Sequence, residues 1–242
     1  MRKNEIRFRI WRKLKETGIG KFPIFHRIPN FLGSERAARL LAEHEIWRRA
    51  KVLKVNPDSP QRPVRFLALQ EGKKVIMPTP RLRSGFLILE PERISKTRYG
   101  EACTIRGAFT WGRPIRPEEF PTIDLVVVGS VAVNLRGDRL GKSEGYSEIG
   151  WAIAYEERKV NQETPVATTV HDIQVIDEEF EVMPYDLPVD YVFTPTKFFT
   201  TKRERPKPRG IYWDYIPRRK VEEIPLLMEK FKSKGFRWKG HG

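Results

Sequence analysis

Residues 124–153, DLVVVGSVAVNLRGDRLGKSEGYSEIGWAI, constrain the fold more than any other stretch of the chain. Leu125–Val128 is an unbroken apolar run rich in β-branched residues, which reads as a strand buried on both faces. Gly129 and Ser130 interrupt it, and residues 131–133 resume the apolar character. Residues 134–145 then bring three glycines and three basic residues together. From Tyr146 the pattern turns helical, with Tyr146, Ile149, Trp151, Ile153 and Ala154 near helical spacing. A strand, a glycine-rich basic loop and a helix start together make a phosphate holder. The glycines let backbone N–H groups approach, and the helix N-terminus adds partial positive charge. Gly137, Gly141, Lys142 and Ser143 fall one residue short of G-x-x-x-x-G-K-S/T, so the P-loop is rejected. Plain turn chemistry also explains a glycine-rich turn before a helix. The basic residues and the buried strand favour the anion site.

The rest of the chain alternates strands and helices. Residues 1–16 read as an amphipathic basic helix with Ile6, Ile10, Trp11 and Leu14 on one side, and Lys3 and Arg7 project from one face. Residues 18–30 read as a loop, and residues 33–49 as a helix capped by Ser34, with His44 a lone surface histidine. Strands are expected at 51–55, 74–78 and 86–91. A helix over 60–70 would be capped by Asp58 or Ser59 and closed by Gly72. Residues 92–121, rich in Arg, Gly and Pro, read as a long surface loop. Its Phe109 and Trp111 are candidates to line an aromatic slot, or to pack singly into the core. A further buried strand over 165–170 ends at His171 and Asp172, where open α/β sheets bind ligands; a His171 that only hydrogen-bonds a loop fits equally. Residues 200–210 form a basic, proline-rich connector and 211–213 a last short strand. Residues 220–234 form a helix with Pro225 near its first turn. The alternation predicts an α/β fold with a mostly parallel sheet and helices on both faces, in one domain over 1–242.

A chain of 242 residues can bury the core such a domain needs. Its net charge of +15 and pI near 10.0 point to anionic partners: nucleotides, polyanionic cofactors or nucleic acid. The single cysteine, Cys103, excludes an intramolecular disulfide and a cysteine-based zinc cluster. No apolar run reaches membrane-spanning length and the N-terminus is charged rather than signal-like, so a cytoplasmic protein without a membrane partner is expected.

The stretch RLGKSEGYSE at 139–148 resembles the R-L-G-x-G-x-G-Y-Y-D loop of the 5-formyltetrahydrofolate cyclo-ligase (methenyltetrahydrofolate synthetase) family. With VVGSVAV before it and ETPV and TVHDIQV after it, the chain looks closer to the divergent methenyltetrahydrofolate synthetase domain-containing branch. The resemblance runs from residue 3 to about 213 and is strongest over 124–208. It implies a three-layer αβα sandwich shared with ribose-5-phosphate isomerases and CoA transferases; the chain itself is expected to be a monomer. It also implies closure of 5-formyltetrahydrofolate to 5,10-methenyltetrahydrofolate with ATP and Mg²⁺, releasing ADP and phosphate. The start KNEIR matches the family's K-x-x-x-R, which makes Lys3 and Arg7 cations for ATP phosphates. Arg139, Leu140, Gly141, Lys142, Ser143, Glu144, Gly145, Tyr146 and Ser147 would complete the ATP site, with Arg139 and Lys142 stabilising the transferring phosphoryl group. Asp58 falls in a segment similar to the one whose acidic residue contacts the folate, unless it is only an N-cap. Phe109, Trp111 and His171 are further candidates for the substrate wall. The segment YDLPVDYVFTPT at 185–196 resembles H-D-x-x-V-D-x-V-x-T, which places Asp186, together with Glu148, at the magnesium.

Two departures bear on that site. Ser143 replaces the loop's middle glycine, a steric cost if φ is positive there. Ser147 and Glu148 replace Tyr-Asp, which lengthens a carboxylate offered to an ion of strict octahedral geometry. Neither Glu148 nor Asp186 sits in an apolar run, so removing either charge is expected to leave folding nearly intact. Two alternatives stay open. One is a non-catalytic folate- or nucleotide-binding or RNA-associated protein on the same fold, although the chain has no RNP-like aromatic signature. The other is an enzyme acting on a sugar phosphate or acyl-CoA.

Overall fold

A computed structural model describes residues 2–237. The chain opens with helix α1 (Lys3–Glu16), a ribbon of β1 (Gly20–Lys21) and β2 (Asn30–Phe31), and helices α2 (Ser34–Glu43) and α3 (Glu45–Arg49). Strand β3 (Val52–Val55), helix α4 (Arg62–Gln70), strands β4 (Lys74–Pro78) and β5 (Phe86–Leu89), helices α5 (Tyr99–Ala102) and α6 (Ile105–Trp111), and strand β6 (Arg113–Ile115) follow. Strands β7 (Leu125–Val128), β8 (Ala132–Asn134) and β9 (Arg139–Leu140) lead to helix α7 (Tyr146–Glu156). Strands β10 (Val166–Thr169), β11 (Val175–Ile176), β12 (Tyr191–Phe193) and β13 (Phe198–Thr200) precede helices α8 (Arg218–Glu223) and α9 (Pro225–Ser233).

Eight strands form one sheet in the order β13-β12-β10-β7-β3-β4-β5-β6. β12, β10, β7, β3 and β4 run parallel, while β13 at one edge is antiparallel to β12, and near the other edge β5 runs against both of its neighbours, β4 and β6. Every residue of β3 and β7 is buried, as a sheet covered on both faces requires. Alternation then sorts the side chains: Val126 and Val128 enter one core with Trp151, Ile153 and Leu227, and Leu125 and Val127 enter the other with Leu41, Val64 and Ala108. The result is the expected three-layer αβα arrangement. A small sheet, β11-β8-β9, lies under α1, whose Ile6, Ile10, Trp11 and Leu14 pack on Val131, Ala132, Leu140 and Ile176.

The neighbours β3 and β7 send the chain to opposite faces. After β3 comes α4, in the core with Leu41; after β7 the chain reaches α7, in the core with Leu227. A crevice opens where adjacent parallel strands diverge in this way. Asn56 to Asp58 and Gly129 stand there.

Several boundaries differ from expectation, each for a local reason. Met1, at the start of the expected first helix, lies outside the described residues. The expected helix over 33–49 breaks at His44, whose backbone is extended and whose Nδ1 accepts from the Ile46 N–H, capping α3. That histidine is packed, not a lone surface residue: its ring sits 5.1–5.5 Å from those of Tyr191, Phe193 and Phe198. Ser34 is inside α2, and Gly33 holds the cap position at φ +90°. Within 18–30 the ribbon strands form. Residues 92–121 are an ordered chain of short helices and the edge strand β6, not a long loop. No strand forms at 211–213, where the chain enters a 3₁₀ turn. The last helix starts at Arg218 and splits at Pro225, because a residue before proline avoids helical dihedrals and Ile224 is extended.

One buried charge stands out. Lys54 on β3 is 1 % exposed, and its Nζ has no hydrogen-bond partner. It lies against α7, where a Cβ at Gly150 would fall 3.1 Å from Nζ, so glycine is what admits it. Burial pushes the ammonium from 10.5 down to about 8; Glu148 pulls it up and Arg139 pushes it down. Between those two values the unfolded chain holds a proton that the folded chain does not, so this group makes stability rise with pH across the window. Below it the full penalty applies. Lys54→Met is therefore expected to stabilise the protein at pH 7 by about 3 kcal/mol. Urea denaturation of parent and variant at pH 7 and pH 10 checks this: the gap should shrink at the higher pH. A parent as stable as the variant at pH 7 would refute it.

Candidate functional site

The glycine-rich loop leaves β9 and enters α7 through Gly145, which caps the helix in the left-handed region at φ +72°. Ser143 is also left-handed, at φ +82°, so the departure from glycine falls where a Cβ is strained. Arg139 fixes the base of the loop. Its side chain is 1 % exposed; Nη1 donates to the Gly129 carbonyl at 2.8 Å and Nη2 pairs with Glu148 Oε1. The end of β7 and the first turn of α7 are thereby tied to β9.

Helix α1 brings cations to the same place. Arg7 Nε donates to the Gly141 carbonyl at 2.7 Å and Nη1 to Asn4 Oδ1 at 2.7 Å. Burial lowers the pKa of this guanidinium, with Asp186 and Glu148 opposing. Lys3 Nζ lies 2.9 Å from Asp186 Oδ2, which also accepts from the Met183 N–H.

The loop forms a wall between two clefts. The first, about 710 Å³, is faced by Lys3, Arg7, Arg139, Leu140, Glu148 and Asp186. The second, about 640 Å³, is faced by Asn56, Asp58, Lys142, Tyr146 and Ser147. Gly141, Glu144, Gly145 and Glu148 line both. Ser143 lines the first only. The expected cation set is thus divided: Lys142 stands on the Asp58 side, 2.9 Å from Glu144 Oε2, across the loop from Lys3 and Arg7. Arg139 is committed to Gly129 and Glu148, which makes it the residue that holds the loop.

Three expected substrate residues lie outside both clefts. Phe109 is exposed, and Trp111 packs beside the second core with Arg98 5.5 Å over its ring. His171 accepts from the Ile173 N–H through Nδ1 at 3.1 Å and packs on Phe31, so its loop-bonding role is the one observed. Desolvation lowers its pKa, which preserves that acceptor. Gln174 is likewise structural, donating to the Ser130 and Val131 carbonyls.

Asp58 precedes a 3₁₀ turn but makes no side-chain cap bond, so capping does not explain it. Its carboxyl is raised above the ordinary range by burial, with Lys142, Arg65 and Arg139 opposing. Around it stand groups whose residue types gave no signal in the sequence. Asn56 Nδ2 donates to Ser147 Oγ at 2.7 Å, and Gln61 Nε2 to Thr169 Oγ1 at 3.0 Å, while Asn56 Oδ1 and Gln61 Oε1 are buried without a partner. Buried Arg65 holds the turn by donating to the Asn56, Asp58 and Cys103 carbonyls. A Cβ at Gly129 would fall 2.9 Å from Gln61 Oε1 and 3.0 Å from Asp58 Oδ2, so glycine keeps this cradle open. Of these, Asn56 lines the second cleft, and its free amide oxygen beside the Asp58 carboxyl makes a floor for a ligand edge rich in N–H donors, with Gln61 fully buried behind it.

The first cleft carries the two carboxylates expected at a metal. Among the described residues no group of three or more His, Cys, Asp or Glu is placed to hold an ion alone. Mg²⁺ commonly takes one or two carboxylates and completes its octahedron with water and phosphate oxygens, and Glu148 with Asp186 fits that pattern. Their present partners separate them. Glu148→Gln would leave the Arg139 guanidinium buried without its counter-charge and is expected to destabilise by about 3 kcal/mol, against the expectation from sequence. Asp186→Asn, which breaks a more exposed pair, should cost about 1 kcal/mol or less. Denaturant midpoints of both variants check this; a Glu148→Gln protein that unfolds with the parent would show that the pair does not hold the loop.

A model of the 5-formyltetrahydrofolate cyclo-ligase family matches residues 2–195. Over 230 residues the chain is 41% identical to a methenyltetrahydrofolate synthase domain-containing protein of Bos taurus, covering 93% of this chain and 60% of that one. The Mus musculus counterpart is 42% identical, with 93% and 62% covered. The chain thus spans about three fifths of the length of these relatives. The NMR structure of Aquifex aeolicus 5,10-methenyltetrahydrofolate synthetase shares the fold, with a TM-score of 0.53 at 20% identity over 85% of this chain and 95% of that one. Among the described residues no helix is long and apolar enough to cross a membrane. With the family's pattern running through the helix, loop and strand ends that build the two clefts, the chain belongs to the 5-formyltetrahydrofolate cyclo-ligase family.

Proposed function

We propose that this protein closes 5-formyltetrahydrofolate to 5,10-methenyltetrahydrofolate at the expense of ATP. The observation that carries this reading is the loop shared by two unlike clefts, one cationic and one floored by acceptors. A triphosphate suits the first, held by Lys3, Arg7 and loop amides. The donor edge of a pterin, an N–H beside an exocyclic amino group, suits Asn56 and Asp58, which line the second. The reacting atoms then meet at residues 141–145.

The reaction asks for positioning and charge stabilisation, not a covalent enzyme intermediate. The formyl oxygen on N5 attacks the γ-phosphorus, and ADP leaves. N10 then attacks the activated formyl carbon, the C–O bond breaks, and the N10 proton departs with phosphate. Lys142, on the substrate side of the loop, would offset charge on the phosphoryl oxygens as they pass between the clefts. Arg139 and Glu148 keep the loop in place. Mg²⁺, when bound, would be held by Glu148 and Asp186 and would neutralise phosphate charge. No serine or cysteine nucleophile is required.

Incubation with 5-formyltetrahydrofolate and MgATP should produce methenyl absorbance above blanks lacking either substrate. Binding of both ligands without turnover would favour the non-catalytic alternative. Arg7→Ala removes a charge-assisted contact and should weaken ATP binding by about 1.5–3 kcal/mol while sparing the folate.

The second cleft makes the converse prediction. Asp58→Asn should raise the folate KM about tenfold and leave that for ATP unchanged. Because the Asp58 carboxyl is raised, its acceptor role is present above that raised value and lost as pH falls through it. The acid limb of folate affinity should therefore be steeper in the parent than in Asp58→Asn. Parallel pH profiles would remove Asp58 from the site.

A further inference from the structure

The family's pattern stops at residue 195, yet the first cleft does not. Tyr212, Tyr215, Ile216 and Lys220, all beyond that point, face it together with Tyr185. We infer that this C-terminal segment completes a nucleotide site, with the tyrosines forming a slot for a nucleobase and Lys220 a second cation on the phosphate loop. This rests on the nucleotide reading of the first cleft.

The segment is fixed by packing. Trp151 Nε1 donates to the Pro208 carbonyl at 2.8 Å, and the Ile211 N–H reaches Glu156 Oε1 at 3.3 Å. Beyond it, Val221, Ile224 and Leu227 are buried in the core beneath α7. The wall is therefore part of the same body as the loop.

Its chemistry is that of a base receptor. The Tyr185 and Tyr215 rings lie 5.2 Å apart at 53°, and those of Tyr212 and Tyr215 6.5 Å apart at 67°, and all three residues line the cleft. Tyr215 stays 49 % exposed, although an aromatic ring gains by burial. A planar heterocycle stacked there would cover it. Lys220 holds the other end. Its Nζ donates to the Glu144 carbonyl in the loop and sits 4.3 Å over the Tyr146 ring. Burial lowers its pKa, with Glu144 opposing, as befits an ammonium drawn in from solvent. A triphosphate beside residues 141–145 would meet Lys220 as well as Lys3 and Arg7, since all three line the same cleft and Arg7 and Lys220 bond to the loop itself. The tyrosines are on the same cleft, where the nucleoside would extend.

Two probes separate the parts: ATP, which has a base, and inorganic tripolyphosphate, which has none. Calorimetric titration of the full chain should show Tyr215→Ala weakening ATP about tenfold while leaving tripolyphosphate unchanged. Tyr215→Phe, which keeps the stacking face, should bind ATP like the parent. Lys220→Met should weaken both probes on the order of tenfold, and Lys220→Arg should restore most of that loss. Thermal melts of each variant check that the fold is kept, and both side chains lie at the cleft surface. A Tyr215→Ala protein that binds ATP like the parent, or loses both probes alike, overturns the base slot. An unchanged Lys220→Met protein overturns the second cation. A parent that binds neither probe overturns the nucleotide reading itself.

Discussion

A guanidinium taken out of water destabilises the fold unless its charge is met, and Arg139 is met from two directions at its two terminal nitrogens, while its buried Nε has no partner. The Gly129 carbonyl at the end of β7 and the Glu148 carboxylate at the start of α7 both close on it. Breaking one partner in such a pair leaves an uncompensated charge, which is why buried pairs fix geometry even where they add little net stability. The loop between β9 and α7 therefore has few arrangements open to it. Both clefts inherit their shared wall from that restriction, and Arg7 reinforces it through the Gly141 carbonyl.

Charge is balanced locally around this wall despite a net charge of +15 for the whole chain. Lys3 faces Asp186, Arg139 faces Glu148, and Lys142 faces Glu144. The pairs fall on both sides of the wall, Lys3–Asp186 in the first cleft and Lys142 on the second. In the second cleft the Asn56 amide oxygen lacks a donor, and the loop offers that side Lys142.

The parts of this arrangement that follow short-range rules were legible from the residues. The β7 run, the apolar side of α1 and the glycine-rich start of α7 each announce themselves by period or composition, and the αβα layering follows from their alternation. Ser143 was also readable, since a serine in place of a loop glycine raises the question of φ by its identity alone. What escaped depends on contacts between distant segments. Asn56 and Gln61 are ordinary polar residues until the crevice between β3 and β7 leaves their oxygens without partners. Lys142 sits three residues from Arg139, yet the turn between them sends the two side chains to different clefts. The break at His44 required the rings of Tyr191, Phe193 and Phe198, which come about 150 residues later.

The Lys3–Asp186 pair joins residues 183 positions apart. On a ribosome adding roughly 5–20 residues per second, the first helix emerges about 10–40 s before its partner aspartate exists. Its apolar side, Ile6, Ile10, Trp11 and Leu14, meets Ile24 and Ile28 at once but waits for most of that interval for β8 and β9. The nascent chain thus carries a positively charged helix whose hydrophobic side is only half covered. The cationic cleft is among the last features to assemble, so a truncated translation product would lack it however well its central strands had paired.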